Sequence, residues 1–284
     1  MGTSAAAESR DNPLPDFGPG YLTFYLDNDL FADKDQDYTN GARLSWISGS
    51  RKLSDIGPMQ RVLRPFTGDD HSLRAFRDIT GFDNPELVQY NYGFSLTQLM
   101  FTPEDYASPT QPEDQRRYAG WTALGFSLHT KDAETLNSVE FLLGTTGKNS
   151  FAQETQDFIH DVKDVDKFLG WDDQIPSEVT FDWSFVQKRR LNLGEQDQIL
   201  SMDGVGEWGM RLGTFRTSAH LGGMVRLGLH LPADFSDPRL TETAYAHKYF
   251  INEEAELSNW SLFLLGGCRL SAVAHDATLD GPLF

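Results

Sequence analysis

The sequence predicts an all-β antiparallel fold, on three observations. Apolar and polar residues alternate with period two in segment after segment. No apolar run approaches the ~18 residues of a spanning helix. Gly-, Asp- and Pro-rich stretches of uneven length separate the alternating segments. A soluble two-sheet sandwich and a barrel both meet this pattern. Connections expected to be long after the first three strands, and short elsewhere, favour a barrel with one elaborated rim.

Residues 21–26 and 42–47 alternate and flank an acidic stretch, which makes the first hairpin. Tyr90, Tyr92, Phe94 and Leu96 interleave with Asn91, Gly93, Ser95 and Thr97. Val179, Phe181, Trp183 and Phe185 interleave with Thr180, Asp182 and Ser184, and Val225 to Leu231 reads the same way. Residues 119–129, 136–144, 208–217, 243–256 and 260–274 complete a set of about ten strands. Ser150–Leu169 breaks the period: Phe158, Val162, Val165 and Leu169 recur every three to four residues, the mark of an amphipathic helix in a loop. Gln156 and His160 are i, i+4 on that helix, so they share a face. That face carries no apolar anchor and is free to point across a groove.

The chain has 284 residues, with 42 acidic against 24 basic side chains. So acidic a chain lacks the basic stripe that nucleic acid requires. Twenty Phe, 9 Tyr and 6 Trp accompany a low mean hydropathy of −0.44. A soluble globule fits these numbers. So does a membrane barrel, whose strands alternate apolar-out and polar-in and give no hydropathy peak. Cys268 is the single cysteine, which excludes an internal disulfide and a cysteine zinc site. Residues 1–15 are small and polar, and 1–20 are expected to form a flexible N-terminal segment ahead of a 21–284 domain. With no basic stretch followed by an apolar one, residues 1–15 are not expected to act as a secretory signal. At the other end, Asp280-Gly281-Pro282-Leu283 is turn chemistry, so residue 284 is expected to fall inside a loop with one hairpin to follow.

Asn28 and Asp29, then Asp33, Asp35, Asp37 and Thr39, crowd oxygen donors at the tip of the first hairpin. Carboxylate, amide and hydroxyl oxygens suit a hard cation such as calcium. The spacing is not that of an EF-hand, whose sixth and twelfth positions here would be Tyr38 and Leu44. A solvated acidic hairpin accounts for the same residues. His160, with Gln156 beside it, has the chemistry of a general base with an orienting amide. It reads equally as a surface histidine. Trp121 and Trp171 open their segments as membrane-interface anchors or as core. There is no Gly-x-Ser-x-Gly elbow, no His-Glu-x-x-His and no phosphate-binding Gly-Lys-Ser/Thr loop.

Taken in order, several segments resemble the lipid A 3′-O-deacylase family (LpxR-type) of Gram-negative outer membranes. They are Asn28-Asp29, Asp37-Tyr38-Thr39-Asn40-Gly41, Gln98 with Phe101-Thr102-Pro103-Glu104-Asp105, and Arg116 with Tyr118-Ala119-Gly120-Trp121. Gln156 with His160, Gly170-Trp171-Asp172-Asp173-Gln174, and Val225-Arg226-Leu227-Gly228 with Leu231-Pro232-Ala233-Asp234-Phe235 follow. The resemblance implies a twelve-stranded outer-membrane barrel with a site between its wall and a helix in an extracellular loop. It implies calcium-dependent removal of the 3′-linked acyloxyacyl chain of lipid A. By motif match, His160, Thr39, Asn28 and Gln156 fall on catalytic positions, and Asp29, Asp37 and Asp166 on calcium-binding ones. Lipid A or lipopolysaccharide is then the substrate, outer-membrane lipid the surroundings, and a single copy the expected state. Ser108 stands near the position where related chains carry a functional lysine. A barrel of the same fold without catalysis, a channel or surface-binding protein, is the alternative.

Overall fold

A computed structural model describes residues 20–28, 40–51, 88–105, 108–110, 115–193, 200–235, 260–281 and 283. Nine antiparallel strands form one sheet in which every strand pairs with its neighbours in sequence. They are β1 (Tyr21–Asn28), β2 (Asn40–Ile47), β3 (Gln89–Phe101), β4 (Ala119–Lys131), β5 (Thr135–Thr146), β6 (Val179–Asn192), β7 (Leu200–Gly213), β8 (Arg216–Leu229) and β9 (Leu262–Asp276). The expected strand at 243–256 lies outside the described residues. The sheet curls: Trp121 on β4 stacks on Phe215, between β7 and β8, with centroids 4.2 Å apart. Arg116, just before β4, bonds to Thr278, just after β9.

The two faces are inverted relative to a water-soluble protein. Phe24, Leu44, Leu96, Leu124, Leu143 and Phe181 are register partners in one row across six strands, and all are exposed. The next row is Trp46, Phe94, Phe126, Phe141, Trp183 and Leu212, largely aromatic. Trp46 stacks on Phe94 along it. The opposite, inner face is polar and buried. Arg43 pairs with Glu140, Arg211 with Asp182 at 3.3 Å, and Lys188 with Glu207 at 3.4 Å. Arg226 holds Asp203 and Asp234 together, donating to Asp203 through Nε at 2.8 Å. Apolar-out and polar-in along period-two strands is the pattern of a wall standing in lipid.

Two expectations change. The run 208–217 is not one strand: β7 ends at Gly213 and β8 begins at Arg216, with a tight turn between. Phe215 in that turn is apolar because it fills the inner face against Trp121. Long connections also do not gather at one rim. In an up-and-down sheet successive strands end at alternate rims, so the ends of β2 and β8, at Ile47 and Leu229, stand at the rim opposite to the ends of β1, β3 and β5, at Asn28, Phe101 and Thr146.

The helical segment is shorter than its apolar period suggests. A 3₁₀ turn, Gly147–Ser150, precedes α1 (Ala152–Lys163). Asp164, at φ 54°, stops the helix, and its N–H bonds back to the His160 carbonyl. A second 3₁₀ turn, Gly170–Asp173, leads to β6, and α2 (Ala277–Asp280) follows β9.

Candidate functional site

Helix α1 packs on the outer face of the wall, not inside it. Along β4, Leu124 faces outward, so Thr122 and Gly120 continue the same face toward the rim. Thr122 Oγ1 and Gln98 Nε2 both donate to the Ser150 carbonyl, at 2.7 and 2.8 Å. Two wall side chains thus fix the main chain two residues before the helix starts. Gly120 is required there: a Cβ would overlap Ser150 Oγ and Ala152 Cβ. Beside it, Met100, Tyr118, Ala152 and Trp171 form a small buried cluster with Phe168 packed against it. Tyr118 and Trp171 rings lie 5.0 Å apart.

Gln156 is buried in this seam. Its Oε1 accepts from Trp171 Nε1 at 2.6 Å. Indole N–H can only donate, so this bond fixes which way the amide points and turns its NH₂ group the other way. The Gln156 line of the helix is therefore the packed one, contrary to the expectation of a free face. The apolar line, with Phe158 and Val162, is the exposed one.

One turn further on, His160 Nδ1 lies 2.6 Å from the main-chain carbonyl of Asp166. A carbonyl only accepts, so Nδ1 carries a proton, and in the neutral ring the lone pair is on Nε2. The chain returns to make this bond because Asp164 reverses it; Lys167 Nζ then pairs with the Asp161 carboxylate at 2.9 Å. Phe168 meets the imidazole edge-to-face at 4.9 Å, joining it to the buried cluster. The Asp166 carboxylate is exposed, and its carbonyl alone touches the histidine.

The structure thus places Gln156 and His160 on one line of α1, with the Asp166 main chain returning to His160 just past the helix end. Of Asn28 only the main chain is described. It pairs with Asn40, which pairs with Met100, which pairs with Gly120. That row leads from the tip of the first hairpin to the wall under α1, about 14 Å across three strand spacings. Asp29, Asp37 and Thr39, with Asp33 and Asp35, lie outside the described residues. Among the described residues no cluster of three or more His, Cys, Asp or Glu side chains forms a metal cage. Ser108, near the lysine position, lies in the loop against Gly170 and bonds to Thr110.

Trp121 and Trp171 are core residues, not interface anchors. Trp121 faces inward and donates to Thr180 Oγ1 at 2.9 Å, and Trp171 is fully buried. The seam residues Gly120, Tyr118 and Phe168 carried no chemical signal in sequence, since packing alone gives them their role.

A curled antiparallel sheet with an apolar outer face, and a helix clamped outside its rim, defines an outer-membrane β-barrel. The model of the outer membrane protein LpxR family matches residues 2–284, so the chain belongs to that family. The solved structure of LpxR from Salmonella typhimurium is similar, with a TM-score of 0.65 and 16% sequence identity over 92% of this chain and 79% of that one. No curated protein sequence matches.

Proposed function

We propose that this barrel hydrolyses the 3′-linked acyloxyacyl ester of lipid A in a calcium-dependent reaction at the outer face of its wall. The observation that carries the reading is the tautomer of His160. With Nδ1–H given to the Asp166 carbonyl, Nε2 is the acceptor nitrogen of the neutral ring, the one that would take a proton. Water, or the Thr39 hydroxyl, loses that proton as its oxygen attacks the ester carbonyl carbon. The tetrahedral intermediate collapses, the carbon–oxygen bond to the sugar breaks, and the imidazolium returns the proton to the leaving alkoxide. The fatty acid departs and releases its own proton to solvent, leaving a carboxylate. If Thr39 attacks, a second water repeats the cycle on the acyl-threonine. The Gln156 amide, its oxygen spent on Trp171, has N–H left to orient the ester, a task that Asn28 shares.

The donor set fits calcium. Asp29, Asp37 and Asp166 supply only carboxylate oxygens, the ligands a hard cation takes. The exposed Asp166 side chain is available because the histidine uses its main chain. Calcium, when bound, supplies fixed positive charge for the ester carbonyl oxygen. Placement favours a lipid substrate as well: an amphiphile in the surrounding leaflet meets α1 from outside the barrel. A channel is less well supported, because Trp121, Phe215, Ile175 and Ala277 pack together at the rim end of the inner face.

Purified full-length protein in detergent, given lipid A and calcium, is expected to release the 3′ chains. His160→Ala is expected to slow the release by about 10²–10⁴-fold. EDTA is expected to stop it and added calcium to restore it. Correctly folded protein that leaves lipid A intact with calcium present would refute the reading.

A further inference from the structure

The apolar stripe of α1 is not explained by the chemistry above. Four lines of residues run along the helix: Gln156/His160, Asp157/Asp161, Phe158/Val162 and Ile159/Lys163. The first is packed toward the wall, so the third points away from the barrel. Phe158 is 68% exposed and Val162 71%. Phe151 before the helix and Val165 and Leu169 after it are also exposed. Five large apolar side chains on one short segment exceed the scattered singles of a protein surface in water.

Position says what covers them. α1 rests on Gly120, which is four residues along β4 from Leu124, a member of the exposed apolar row. At about 3.4 Å per residue and a strand tilt of ~40°, that is about 10 Å along the barrel axis. Interfacial helices sit with their apolar face ~5–10 Å into the boundary between headgroups and chains. The stripe therefore continues the lipid-facing wall upward and outward.

We propose that Phe158 and Val162, with Phe151, Val165 and Leu169, are embedded in the hydrocarbon of the leaflet around the barrel, docking the helix at the lipid surface. The occupant is the acyl chains of the leaflet as a whole, not one lipid molecule held in the site. The acidic Asp157/Asp161 line is then the one left toward water. The docking holds whether or not the barrel is a deacylase, and its test reads no turnover.

The test uses the full-length chain with Cys268 replaced (Cys268→Ser). Single cysteines are placed by Phe158→Cys, Val162→Cys or Leu169→Cys. Each is labelled with an environment-sensitive fluorophore in phosphatidylcholine vesicles carrying nitroxide on the acyl chains. Leu124→Cys on the wall reports lipid, and Asp172→Cys, on an exposed turn, reports water. Heat-modifiable gel mobility selects the inserted protein in every sample. The expected result is blue-shifted emission at 158 and 162, quenched by the lipid nitroxide comparably to 124 and only weakly by aqueous iodide. Quenching by iodide as at 172 would overturn the proposal. Shielding from both quenchers would also overturn it, since protein would then cover the stripe. Leu169→Cys reads the same stripe from beyond the helix should a label within α1 disturb insertion.

Discussion

His160 depends for its tautomer on a carbonyl six residues further along the chain. The left-handed Asp164 and the Lys167–Asp161 ion pair bend the chain so that this carbonyl meets Nδ1. None of that is visible as a motif; a histidine on a loop helix reads the same with or without it. What sequence does show is that Gln156 and His160 share a helix face. It does not show that the face is turned toward the wall, because Trp171, the partner that turns it, comes fifteen residues after Gln156. Tyr118 offers a pH test of this packed seam. Burial first, then the Asp105 carboxylate, push its phenol up to about 12, against the opposing pull of the Gly170 N–H. The folded seam favours the neutral phenol, so its contribution is complete below the ordinary value of ~10 and is lost as pH rises through 12. Ultraviolet difference absorbance should show one tyrosine titrating near the top of that window, absent in Tyr118→Phe. A phenol that titrates with the others would mean the seam is open.

Elements are set by rules of different reach, which explains what could be read in advance. Strand identity was legible because side chains alternate along each strand, and the rows Phe24 to Phe181 and Trp46 to Leu212 preserve that alternation across the wall. The β7–β8 turn was not legible: Gly213-Thr214-Phe215-Arg216 carries no Asn-Gly or Asp-Gly signal, and Phe215 keeps the apolar rhythm. The helix was legible as a helix, yet its apolar period ran on through Val165 and Leu169, which lie beyond its end at Lys163. Its seat on the wall rests on Gly120. Gly120→Val is expected to lift α1 from β4 and lower deacylation at least tenfold, with barrel mobility on gels unchanged. Activity equal to the parent would show that the helix is held elsewhere.

The whole molecule is a wall whose charges are turned inward. Sequence composition alone fits a soluble globule equally well, because alternation hides apolar surface from any running average. The register resolves this, since only folding reveals that exposed rows are apolar and buried ones charged. Arg43 and Glu140 lie three strands apart and are both buried. Removing one partner leaves an uncompensated charge inside, so Arg43→Met is expected to cost about 3–5 kcal/mol. Urea unfolding in detergent micelles should show it, and Arg43→Met with Glu140→Gln should recover part of the loss. If Arg43→Met alone unfolds like the parent, the inner charges are solvated and the lumen is open to water.

Mass spectrometry of lipid A from cells carrying the full-length barrel tests the central claim most directly. With calcium present, the account predicts a species that has lost its 3′ acyl chains, absent from cells carrying His160→Ala at equal levels of inserted protein. Lipid A of unchanged mass in both would contradict it.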